Sequence, residues 1–184
     1  MSQDHTFPGF ATPDAGPEAP LEMLVACHGR VERQCATLMR LVPHLAEHGA
    51  DDQARAAAAN VMRYFDTAAK HHHEDEEVDL FPALLESMAG SDAVCIRELT
   101  DALKAEHRVL EGLWHAIRVV LVGVVAREPV MLDAQQVEAL SNAYARHIER
   151  EESELLPMAG RLLGDAELEK VGRAMRERRG VTAS

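Results

Sequence analysis

The chain has 184 residues, 47% apolar and 27% charged, the make-up of one globular domain. Its 19 Lys and Arg against 31 Asp and Glu give a formal charge of −12, which excludes a nucleic-acid groove or an anionic membrane surface as the main partner. No apolar run reaches the ~18 residues of a membrane span, and residues 1–10 lack the basic and apolar regions of a signal peptide. Three scattered cysteines read as reduced thiols, so a cytoplasmic location is expected.

Residues 1–19 carry Pro8, Gly9, Pro13, Gly16 and Pro17 and read as an extended arm. The pattern is helical from there on. The first helix is expected from Pro20 to His48, with Gly49 as a stop and Pro43 kinking it or splitting off a last turn. The second is expected from Asp51 or Asp52 to about Asp79, with Pro82 opening a short further turn that ends near Gly90. The third runs from about Ser91 to Arg127, and Pro129 closes it. The fourth runs from near Asp133 to about Leu163, bent at Pro157, and a short fifth covers Asp165 to Arg178. Short loops between long helices predict an all-α, up-down-up-down four-helix bundle over 20–164, followed by a short C-terminal helix and tail over 165–184.

Each long helix has an apolar stripe at three- to four-residue spacing, and each stripe is interrupted by one histidine: His28, His72, His107 and His147. The second and fourth helices add Glu76 and Glu151 one turn after theirs. Six such groups in a bundle interior need partners, because an isolated buried carboxylate costs several kcal/mol. Metal coordination satisfies neutral imidazole and ionised carboxylate together.

The arrangement repeats. His72-His-Glu-Asp-Glu76-Glu-Val-Asp-Leu-Phe-Pro82 parallels His147-Ile-Glu-Arg-Glu151-Glu-Ser-Glu-Leu-Leu-Pro157, 75 residues apart, and both read H-x-x-x-E-E-x-x-L-[FL]-P. His28 and His107 lie upstream, one per half. Residues four apart are same-face neighbours on a helix, so each His–Glu pair reaches one cation. An inward Glu from each half can bridge two metals ~3.5–4 Å apart. Imidazole with carboxylate suits Fe and Mn and admits Zn.

These residues resemble the hemerythrin family, specifically the bacterial hemerythrin-like domains with the HHE cation-binding motif. The resemblance covers roughly Leu21 to Leu163. It implies a non-haem di-iron centre with an oxo or hydroxo bridge, His28 and His72 on one iron, His107 and His147 on the other, and Glu76 and Glu151 bridging. It further implies binding of O2 or a related ligand, peroxide or nitric oxide, for sensing, storage or detoxification. The alternatives are an enzyme reducing peroxide or nitric oxide, and an iron-handling or regulatory module. A protein or redox partner is not legible, and a homo-oligomer is compatible with the sequence.

The oxygen-carrying members have a fifth histidine one turn after the third-helix ligand. Here that place holds Glu111, which either ligates instead or pairs with Arg108 or Arg118; simple reversible carriage is therefore not what this pattern favours. Of the neighbours, His71 and His73 read as bundle edge, with one of them an alternate ligand. Glu74, Asp75 and Glu77 read as a solvated acidic face, with a path attracting Fe(II) the alternative, and Glu106 as exposed surface, with a hydrogen bond behind the ligands the alternative. Phe65 and Trp114 read as an apolar wall beside the metals, and Tyr144 as a packing residue. The basic run Lys170, Arg173, Arg176, Arg178 and Arg179 reads as satisfying a helix C-terminus.

Overall fold

A computed structural model describes residues 19–87 and 92–181. The expected arm, apart from Ala19, lies outside the described residues, as do the expected stop at Gly90 and cap at Ser91.

Helix α1 spans Pro20–His48, α2 covers 52–87, α3 spans Asp92–Val125, α4 covers 134–162 and α5 spans Asp165–Arg178. Among the described residues there is no strand. α1 begins on Pro20, whose missing N–H would be unpaired there anyway, and ends at Gly49, where φ is 66°. Pro43 does not split it. Asp51 caps α2 by accepting the Ala54 N–H at 2.8 Å, and Asp133 caps α4 by accepting that of Gln135 at 2.8 Å.

α2 is longer than the sequence predicts. It passes through Pro82 to Ser87 instead of stopping near Asp79. Two π-helical turns widen it, at Tyr64–Ala69 and Asp75–Leu80, and α4 has one at Glu151–Leu155. Two of these turns end two residues before a proline, Pro82 in α2 and Pro157 in α4. A proline ring collides with the carbonyl four residues back and cannot bond it. A wider turn just upstream displaces that carbonyl, so each rod continues through its proline.

α1 packs on α2 and α4, and α3 packs on the same two, giving the four-sided bundle; α5 lies against α1 and the second π turn of α2. The interior divides into two apolar cores. One holds Val31, Leu38, Val61, Ile117 and Leu140; the other holds Leu24, Leu80, Leu103, Leu155 and Met175. His28 lies between Leu24 and Val31 along α1, and His107 between Leu103 and Leu110 along α3. The polar groups therefore form a thin layer between two apolar slabs, in which each fully buried Leu contributes ~1.5–3 kcal/mol. That bulk on both sides fixes the layer. No helix among the described residues is long and apolar enough to cross a membrane.

Candidate metal centre

All six inward groups read from the sequence meet in this layer. Their exposures are 3% or less. His28 Nε2 lies 3.0 Å from Glu151, His147 Nε2 2.9 Å, His107 Nε2 3.8 Å and His72 Nε2 3.9 Å from the same carboxylate. Glu76 faces His72 Nε2 at 3.4 Å and His107 Nε2 at 3.2 Å. Two sets of donor atoms result, each drawn together within 4.8 Å: His28, His72, Glu76 and Glu151, and Glu76, His107, His147 and Glu151. The two sets share both carboxylates, the arrangement a pair of bridged cations requires.

Three of the four outer nitrogens are hydrogen-bonded as well. His28 Nδ1–H donates to Glu152 at 2.8 Å, His107 Nδ1–H to Glu77 at 2.7 Å and His147 Nδ1–H to Glu106 at 2.8 Å. The halves are thereby crossed. His28, from the first half, answers to Glu151 and Glu152 of the second. His107, from the second, answers to Glu76 and Glu77 of the first. This explains the doubled glutamate of the repeat: the first faces the centre, and the second orients the other half's upstream histidine.

A neutral imidazole that donates from Nδ1 presents only a lone pair at Nε2. His107 Nε2 and His147 Nε2 are 3.1 Å apart. Two nitrogens bound at right angles to one ion at ~2.1 Å are separated by about 3 Å. The four oxygens of Glu76 and Glu151 are buried and accept no hydrogen bond of good geometry. Lone pairs thus converge on lone pairs, a repulsive array that a cation relieves.

Protons are the alternative guests. Burial disfavours charge on His107, but Glu151, Glu76 and Glu77 outweigh it and push the imidazole up to about 10. Burial likewise opposes ionisation of Glu151, yet the imidazoles aimed at it hold the carboxyl well below its usual range. Burial and the negative charge of Glu151 move Glu76 the other way, upward. The centre binds positive charge in either form, and a metal competes with protons for it.

The hemerythrin HHE cation-binding domain model matches residues 19–159. The chain belongs to that family. An uncharacterized protein of Haemophilus influenzae is 34% identical to this hemerythrin-like chain over 162 residues, covering 88% of this chain and 91% of that protein. The family is a cation-binding one, and the buried layer brings together histidines and glutamates that could hold a cation.

Glu111 is not part of the centre of this hemerythrin-like protein. It is 53% exposed and pairs with Arg108 at 3.4 Å, the ion-pair alternative; on a helix whose inward face is taken by His107 and Leu110, position 111 turns outward. Three neighbours also differ from the sequence reading, and Glu106 takes its hydrogen-bonding alternative, accepting from His147. Glu77 is an outer partner of His107, not part of a solvated face. Asp75 is wholly buried, held by Arg178 and Arg179 of α5. Those arginines therefore grip α2, while Arg179 also bonds the Met175 carbonyl at the end of α5. His73 is buried beneath the bundle surface and stacks on His107, with ring centroids 4.0 Å apart at 12°. Burial and the neighbouring imidazoles keep its own imidazole well below the ordinary histidine range.

The quasi-two-fold is broken beside His72. Glu106 precedes His107 and serves His147, whereas Cys27 precedes His28, and His72 Nδ1 has no hydrogen-bond partner among the described residues. Burial raises the Cys27 thiol, but His72 and Arg30, whose Nη2 lies 2.9 Å away, bring it down to about 7.

Proposed function

We propose that the protein is a di-iron protein that takes up O2 or a related small ligand, peroxide or nitric oxide, for sensing, storage or detoxification. The observation that carries this reading is the 3.1 Å approach of His107 Nε2 to His147 Nε2 with both Nδ1 atoms committed to carboxylates. His28 and His72 would hold one ion, His107 and His147 the other, and Glu76 and Glu151 would serve both. Held there, paired ferrous ions would supply the two electrons that a small oxidant needs. The chain supplies the rest. Glu77, Glu106 and Glu152 orient the imidazoles, and the two apolar cores keep bulk water from the layer while admitting small apolar gases.

Anaerobic loading with Fe(II), followed by metal analysis, tests the reading. Two irons per chain are expected, falling below one in Glu151→Ala, because that carboxylate faces all four histidines. Stopped-flow mixing with O2 then separates roles. A long-lived coloured product supports ligand uptake, and rapid conversion to the di-ferric form with turnover supports the reductase alternative. A chain that binds no iron, or binds it equally well as Glu151→Ala, overturns the reading.

A further inference from the structure

The two ends of the centre are unequal, and the inequality lies outside the six inward residues. Position 73 follows His72, and its counterpart 75 residues later is 148. The first is His73; the second is Ile148, part of an apolar core. His73 is only 7% exposed, and its Nε2 has no hydrogen-bond partner. One of its nitrogens lies within 4.8 Å of donor atoms of both His107 and His147. A buried imidazole nitrogen left unpaired costs roughly 1–3 kcal/mol, so its retention calls for a partner that arrives from elsewhere.

His73 also lines a surface cleft of about 580 Å³. Phe65, Trp114 and Tyr144 make its apolar wall, and its charged lining is balanced, Lys70 and Arg118 against Asp66 and Glu111, with Arg118 paired to Asp66 at 2.8 Å. Phe65 and Trp114 pack with centroids 4.6 Å apart and rings tilted by 31°. His73 is the one residue that both lines this cleft and joins a cluster of candidate metal-ligating side chains. Glu111 also lines the cleft, and it is paired outward with Arg108 at 3.4 Å.

His73 is poorly posed as a metal ligand. An imidazole donates its lone pair in its own ring plane. Two rings stacked at 12° and 4.0 Å keep their lone pairs in nearly parallel, offset planes, so a cation in the plane of His107 lies out of the plane of His73.

We propose that exogenous ligand is taken up at the His107–His147 end, through the Phe65–Trp114–Tyr144 cleft, and that His73 Nε2–H hydrogen-bonds it there. The partner is a small anion or diatomic with an exposed acceptor atom. The His28–His72 end has Ile148 at the equivalent position, which offers no such hydrogen bond. The proposal rests on the di-iron reading above.

The test uses the full chain loaded with iron and oxidised, with azide as probe. Iron per chain is measured first, then azide affinity from its visible charge-transfer band. His73→Phe is expected to keep its iron and bind azide about tenfold more weakly, the loss of one hydrogen bond. His73→Gln keeps a donor and is expected to recover most of the affinity. Unchanged azide affinity in His73→Phe overturns the proposal. So does loss of about one iron per chain in both variants with helicity intact, which would make His73 a ligand. Failure of the wild-type chain to take up iron overturns the di-iron reading itself, and is seen before azide is added.

Discussion

Arg179 reaches from α5 to Asp75 in α2, placing Nη2 2.5 Å from one carboxylate oxygen and Nη1 3.1 Å from the other. Asp75 immediately precedes the inward Glu76 and has no exposure to solvent, and Arg178 holds it as well. Removing both cations by Arg178→Ala with Arg179→Ala strands a buried carboxylate. Stranding one costs ~3–5 kcal/mol, and the lower end is expected here because the guanidinium ends are partly wet. Urea denaturation of the metal-free protein measures it. A loss below about 1 kcal/mol would mean that α5 is an appendage and not a clasp.

Glu106 accepts from His147 Nδ1 and from Arg150 Nη1, both at 2.8 Å. Glu106→Ala should therefore free the ring of His147 without touching the inner donors. Such outer partners are worth 10–100-fold in metal affinity. If the chain holds the two irons proposed above, competition against a colorimetric chelator should show one of them weakened by about that factor, the other little changed. Equal weakening of both would show that the halves are coupled through the shared carboxylates.

The metal-free protein should lose stability with rising pH. His107 has its folded pKa raised to about 10 from an ordinary 6.5, so its contribution is complete below pH 6.5 and disappears as pH climbs to about 10. Glu151, held below its ordinary range, contributes above its usual pKa and loses that contribution only in acid. Thermal melting from pH 6 to 10, with and without metal, checks the sign. The metal-free form should fall steadily, while the loaded form should hold its melting temperature, since metal has displaced the titrating protons.

Much of this centre was legible because the helical period is strict. Histidine every stripe and glutamate one turn on could only face inward if Leu24, Leu103 and Leu155 did too. Glu77 and Glu152 were legible in principle as the second letter of each E-E pair, but their role depends on which helix from the other half stands opposite. His73 and Asp75 escaped for a different reason. Both fall beside the inward face of a regular helix, and their burial comes from neighbours the period does not encode: the ring of His107 and the arginines of α5. The π turns were hidden too, since Pro82 and Pro157 signal a break in a regular helix and are instead carried through by a wider one.

The crossing of the two hairpins has a historical reading. One hairpin alone holds a histidine whose partners sit on the other, so a lone copy of such a unit would become whole only by meeting its twin. Carried on one chain, the two hairpins need not be identical. Cys27 opposite Glu106, and His73 opposite Ile148, are differences that no symmetric pair of equal chains could have acquired, and they give one molecule two dissimilar faces around a shared heart.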